Sequence, residues 1–370
     1  MKRTSKIAVA CTALALLIVM NSTVGMSRTG SQTLVLTEVG LFTGCDSVYG
    51  VRVIDNIAYL GDYNLGTKTG SLRMVDVTDP TNPRSLGNYS NGMVHDIVIV
   101  GEHAFVTDGK NLEIIDISNS SNPVQVGTSS VYISGSTGID SLRIQVVDDL
   151  AYIAAGGYGL VILNVSDLAH PSLIKNFNDG GEINGLYVAG TRAYLADLIY
   201  GIEILDISDP KNPVKLGQND SVEDAWRVVV AGDLAYVSCA ENGLFVFDVS
   251  DPAAPVLSGS YTDHNSLNVQ IVGDRAFVAG IEDGVLVLDI SDPANIALLG
   301  QHDDGGKSLN IHVVNDKGLI FSADEDDGLE IIKFSEDNGP SSTPGYSFYF
   351  PITAGLVLLL LKGKKRSKDD

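Results

Sequence analysis

Asp324-Glu325-Asp326-Asp327-Gly328 places four carboxylates in five residues. Loops this rich in oxygen suit hard cations such as Ca²⁺, which takes about six to eight oxygen ligands. The spacing is one residue short of D-x-D-x-D-G and no Glu falls twelve places on, so an exposed acidic turn is the simpler expectation. No cofactor motif is evident, and Ca²⁺ is the one candidate these residues suggest. Asp62, Asp108, Asp197, Glu241 and Asp283 stand in comparable stretches. His95, His264 and His302 lie among further acids, where imidazoles and carboxylates that converge would bind a metal. Trp226, the single tryptophan, is either core filling or an aromatic platform. Paired carboxylates in unlike environments also run hydrolysis and elimination. No recognisable catalytic signature accompanies them, so no catalytic residue is assigned.

Short apolar runs separated by turns must position these groups. Val228–Tyr261 holds four of them, VVVA, LAYVSCA, LFVFDVS and VLSGSY, each too short for a helix and rich in β-branched or aromatic residues. The unit recurs. Tyr59, Phe105, Tyr152, Tyr194, Tyr236 and Phe277 align on its second strand, with Ile320 as a seventh, at spacings of 46, 47, 42, 42, 41 and 43 residues. Seven copies of four strands predict an all-β seven-bladed β-propeller over residues 31–335. The seventh copy stops after its third strand, and LVLTEVG at Leu34–Gly40 fits the missing fourth, closing the ring and removing a sheet edge.

The third strand carries the most regular motif: LRMVDVTDPTNP from Leu72, LEIIDISNSSNP from Leu112, LVILNVSDLAHP from Leu160, IEILDISDPKNP from Ile202, LFVFDVSDPAAP from Leu244 and VLVLDISDPANI from Val285. These copies resemble the LVIVD-repeat family of extracellular prokaryotic propellers. The resemblance implies a surface binding or scaffold role and transfers no active-site residue. The Asp-Pro-x-x-Pro turn itself reads as structure, with Asp accepting backbone N–H groups and Pro ending the strand.

The ends supply an address. Lys2, Arg3 and Lys6 precede the apolar run Ile7–Met20, and residues 1–25 read as a secretory signal. Residues 336–346 form a polar linker, 347–361 an apolar membrane or sorting segment, and 362–370 a basic tail that marks the cytoplasmic side. Pro344-Gly345-Tyr346 before that segment resembles archaeal sorting tails that carry Pro-Gly-Phe at this place. Secretion with tethering to the outer face of the cell membrane is the expectation. The charge is uneven: of 24 basic residues nine lie in the first 30 positions or after Leu361, whereas 44 of the 46 acids lie between. Such acidity opposes nucleic acid and favours cations, basic partners or solubility.

In a propeller the links from strand two to three and from blade to blade share one face. Here those links are variable and acidic, and variation over a fixed scaffold marks a binding surface. The expected function is therefore a cell-surface scaffold that binds a protein, glycan or cation through Asp62, Asp108, Asp197, Trp226, Glu241, His264, Asp283, His302, Asp324, Asp326 and Asp327. A secreted carboxylate- or metal-dependent hydrolase or lyase is the alternative.

Overall fold

Strand follows strand throughout the computed structural model, which describes residues 32–337 apart from 65, 66, 68, 93 and 132–142. The N-terminal strand is β1 (Leu34–Phe42). The first blade is β2 (Val48–Ile54), β3 (Ile57–Asn64), β4 (Thr69–Asp76) and β5 (Arg84–Asn91). The second is β6 (Asp96–Val100), β7 (His103–Thr107), β8 (Asn111–Asp116) and β9 (Val124–Ser130). The third is β10 (Arg143–Val147), β11 (Leu150–Ala154), β12 (Leu160–Asn164) and β13 (Ser172–Phe177). The fourth is β14 (Ile183–Ala189), β15 (Arg192–Asp197), β16 (Gly201–Asp206) and β17 (Val214–Asn219). The fifth is β18 (Arg227–Ala231), β19 (Leu234–Ser238), β20 (Leu244–Asp248) and β21 (Val256–Tyr261). The sixth is β22 (Asn268–Val272), β23 (Arg275–Ala279), β24 (Val285–Asp289) and β25 (Ala297–His302). The seventh is β26 (Ser308–Val314), β27 (Leu319–Asp324), β28 (Gly328–Glu336) and, from the other end of the chain, β1.

Each blade is a four-stranded antiparallel meander with its first strand innermost, and β2 packs on both β6 and β26, so the ring is closed. The closing strand behaves as its sequence predicts. Leu34 pairs with Glu336 and Phe42 with Leu329, with a bulge between Glu38 and Gly40. Leu34 and Phe42 are buried in two different cores.

Alternation along the strands fills seven apolar seams, one between each pair of neighbouring blades. The strand-two aromatics Tyr59, Phe105, Tyr152, Tyr194, Tyr236 and Phe277 each face the following blade. In the seventh blade that place belongs to Phe321, which pairs with His312 and packs toward the first blade; Ile320 faces the opposite seam. The expected alignment on Ile320 is therefore one residue short. The cause is the link Asn315–Gly318, a turn of 3-10 helix where other blades use two residues such as Gly232-Asp233.

The Asp-Pro-x-x-Pro turns hold themselves together. Asp206 accepts from Ser208 N at 2.8 Å, and Asp209 from Lys211 N at 3.0 Å and Asn212 Nδ2 at 2.7 Å. These bonds hold the Asp206 and Asp209 carboxyls below the usual carboxylate range. Asn164 and Asn119, which replace Asp, keep the acceptor: they take Ser166 N at 2.9 Å and Ser121 N at 3.2 Å. Five of these turns are also pressed by a fourth-strand glycine of the preceding blade. A Cβ on Gly259 would lie 1.7 Å from the Pro293 carbonyl oxygen, one on Gly217 2.3 Å from that of Pro252, and one on Gly40 1.9 Å from that of Pro80. Fourth-strand glycine and third-strand turn are thus two halves of one seam contact.

Among the described residues no helix is long and apolar enough to cross a membrane. The signal sequence expected at 1–25 and the segments expected at 347–361 and 362–370 lie outside the described residues.

Candidate functional site

The links between strands two and three close in two ways. In blades two, four and seven an aspartate at the end of strand two ties the turn, whereas in blade one the equivalent aspartate reaches other partners. Asp62 accepts from Asp46 N at 3.0 Å and pairs with Arg73 at 2.7 Å. Asp108 takes Lys110 N at 2.8 Å and Asn111 N at 2.5 Å. Asp197, fully buried, takes Ile199 N at 2.9 Å and Tyr200 N at 3.0 Å. Asp324, also buried, takes Asp326 N at 2.8 Å and Asp327 N at 3.1 Å. Burial pushes the Asp324 carboxyl up even against those N–H groups. Asp108, Asp197 and Asp324 are Asx-type turn braces, while Asp62 anchors the link that enters the first blade. In blades three, five and six the turn passes instead through Gly156, Ala240 and Ile281, at φ of 53°, 44° and 54°. Each of these bridges to the start of the next blade, Gly156 to Ile183, Ala240 to Ser266 and Ile281 to Ser308. For Ala and above all β-branched Ile this conformation is strained.

The remaining sequence-predicted residues divide between paired and free. His264 Nδ1 lies 3.1 Å from Asp283, whose other oxygen accepts from Asn265 N at 2.8 Å. His302 Nε2 lies 2.5 Å from Glu330. The histidines thus serve separate carboxylates, and among the described residues no three of His, Cys, Asp and Glu gather to hold a metal ion. Trp226 is half-buried at the start of β18 and belongs to none of the apolar seams. Glu241, Asp326 and Asp327 are exposed.

Three groups of residues enter this face that sequence reasoning passes over. Glu330 sits in the seam between blades six and seven, its carboxyl pushed up to about 8 by burial and by Asp304, Glu38 and Asp324. Glu203 occupies the same position in blade four, pushed up to about 7 by burial despite Lys215, which contacts it and lies 3.0 Å from Asp179. Both are second residues of the LVIVD stretch, counted from Ile202 and Leu329, a place where other blades carry Val161, Phe245 or Leu286, so a charge there is the legible signal. The third group lies on the innermost strands. Asp96, Arg143, Arg227 and Asn268 stand nine positions before the strand-two aromatics, which is visible only once the ring is known. The thiols of Cys45 and Cys239 are pushed up to about 12, chiefly by burial, and are not nucleophiles at neutral pH.

A search of curated proteins returns no match. The fold is similar to the crystal structure of the computationally designed Ika8 protein, with a TM-score of 0.58 and 10% identity over 80% of this chain and 99% of that one. That likeness is one of fold alone. The LVIVD repeat model matches residues 47–91, 91–131, 140–179, 180–220, 223–263 and 265–304, the first six blades in turn. Six consecutive repeats, each folded as one blade and together covering more than half its length, make this chain a member of the LVIVD repeat family.

Proposed function

We propose that the chain is a binding scaffold, secreted and tethered on the outer face of the cell membrane, which takes a basic protein, a glycan or a cation on its variable-loop face. The supporting observation is a sector of available acidity on blades five to seven. Glu241, Glu282, Asp303, Asp304, Asp326 and Asp327 are exposed there, and none forms an ion pair among the described residues. In blades one and four the corresponding aspartates, Asp62 and Asp197, are buried and spent on Arg73 or on turns. Exposed carboxylates of one sign attract cationic partners over roughly a Debye length, about 8 Å at physiological ionic strength. Capture of surface-extract proteins by the full chain should weaken with salt and in the double variant Asp326→Asn, Asp327→Asn. A chelator arm separates a Ca²⁺-dependent partner from a basic one. Equal capture by variant and wild type across the salt series would remove this face from the function.

One observation favours a second reading, a carboxylate-dependent hydrolase or lyase. Glu330 stays protonated near neutral pH close to Asp304 and Asp324, and acid and base in unlike environments are what such chemistry requires. A glycan-degrading activity abolished in Glu330→Gln would mark it.

A further inference from the structure

The level of the central channel nearest the variable face is lined by Asp96, Arg143, Arg227, Asn268 and Asn310, one from each of five innermost strands, with glycine in the other two blades. Asp96 is almost fully buried and is the one acid at this level. It accepts from Ile144 N at 3.1 Å, and Arg52 Nη2, rising from one level deeper, lies 3.5 Å away. Arg227 Nη1 lies 3.9 Å from the same carboxylate, too far for a hydrogen bond. Arg143 spends Nη1 on the His95 carbonyl at 3.1 Å. Three guanidinium groups thus share one carboxylate. His312, also on an inner strand, adds no further positive charge, since burial and Arg52 push it down to about 4. Burial, offset by Asp96, and repulsion from Arg143 and Arg52 push Arg227 down to about 9.

The same level holds polar atoms without acceptors or donors. Arg227 Nη1, Asn268 Nδ2 and both Asn310 Nδ2 and Oδ1 are buried and have no hydrogen-bond partner. Asn268 and Asn310 are 2% and 0% exposed, so their amides are fully committed to the interior. One level deeper the pattern is different. Gln145 exchanges bonds with Val188 N and O at 2.8 and 3.0 Å, and Gln270 accepts from Val313 N at 2.8 Å, stapling neighbouring inner strands. Buried polar groups are almost always satisfied in folded proteins, and several orphans at one level beside surplus positive charge ask for a common partner.

We propose that this ring binds a small oxyanion, a carboxylate or a phosphate, with Arg227 and Arg143 neutralising its charge and Asn268 and Asn310 holding its remaining oxygens. The planar guanidinium fork suits either group, and the orphan acceptor of Asn310 suits a hydroxyl or protonated oxygen on the same ligand. The site is of opposite sign to the acidic rim and stands whether or not the rim binds anything.

Calorimetry and thermal melts of the full chain with malate, inorganic phosphate and neutral glucose test it. Malate or phosphate should bind and raise the melting temperature, whichever of the two is tighter naming the source, and glucose should do neither. Arg227→Gln and Asn310→Ala should each weaken that binding by roughly tenfold or more, the cost of a charge-assisted or buried hydrogen bond. Asp326→Asn on the rim should leave it unchanged. Because Arg227 is repelled by two neighbours, leaves Nη1 without a hydrogen bond and has only a distant share of Asp96, the unliganded Arg227→Gln protein should melt no lower than wild type. Absence of binding by both anions at millimolar concentration, wild-type affinity in either ring variant, or a clear loss of unliganded stability in Arg227→Gln would overturn the proposal.

Discussion

Gly259→Ala isolates the contact that joins one blade to the next. Gly259 lies in β21, paired with Val246, and a Cβ there would stand 1.7 Å from the Pro293 carbonyl oxygen and 2.6 Å from its carbon, in the turn of the following blade. Ordinary van der Waals contact begins at 3.4 Å, so the turn or the strand must withdraw by well over an ångström. Neither atom belongs to a flexible side chain that could rotate away. Overpacking of this kind costs about 1–3 kcal/mol. The lost freedom of the unfolded chain returns roughly 0.4–1 kcal/mol. A net loss of about 1–2 kcal/mol follows, or roughly 2–6 °C in melting temperature for a domain of this size. Gly157→Ala is the control, since nothing lies within 4 Å of its Cβ and it keeps only the unfolded-state gain. Paired thermal and urea melts of the two variants decide the matter. If Gly259→Ala is as stable as Gly157→Ala, the glycine-to-turn contact does not hold the seam.

Glu330→Gln tests the buried carboxyl. Its folded pKa is raised from 4.5 to about 8, so the folded state keeps a proton that the unfolded state releases, and stability falls as pH rises from about 4.5 through 8. Glutamine, which mimics the protonated form, should match wild type at pH 5 and exceed it by roughly 2–4 kcal/mol at pH 9, at 1.36 kcal/mol per unit; urea melts showing a larger deficit for the variant at pH 9 than at pH 5 would reverse the sign. Ala240→Gly should relieve the left-handed backbone at φ 44° and raise stability by roughly 0.5–1 kcal/mol, after the entropy of the added glycine is deducted. A lower melting temperature for it would mean that the turn carries no strain.

The architecture was legible because the repeat states one packing problem many times. The strand-two aromatics mark the seams, and LVLTEVG at Leu34–Gly40 carries the alternation and the glycine of a fourth strand, so ring closure followed from a missing piece. The register slip at Ile320 came from local turn length, which spacing alone cannot separate from strand length. The face was legible in outline and its chemistry was not. Asp62, Asp197 and Asp324 read as available acid, yet each is buried and already partnered, Asp197 and Asp324 by the N–H groups of their own turns and Asp62 by Asp46 N and Arg73, because a buried carboxylate must find donors within the fold. The channel ring is illegible without the fold, since Arg143 and Arg227 are 84 positions apart and meet only through closure.

Where the repeat varies follows from what each position must pack against. The Asp-Pro turn end of a blade abuts a glycine of its neighbour, and volume there is fixed to within a methyl group. At the opposite end the second residue of the LVIVD stretch is Arg73, Glu113, Val161, Glu203, Phe245, Leu286 or Glu330, and in the seventh blade His302 of the preceding blade faces it. A seam that tolerates charge in one blade and Phe in another is held together elsewhere. The inner strands are freer still at one level: Val51, Ile144 and Val228 secure them in the seams, while Gly50, Asp96, Arg143, Gly185, Arg227, Asn268 and Asn310 belong to none of the apolar clusters, so arginine, asparagine and glycine are all accepted there. The rim and the channel can therefore vary independently of each other and of the seams. That separation lets one face carry exposed acids on blades five to seven around a hub of three arginines, with the seven apolar seams supplying the stability that neither charge pattern provides.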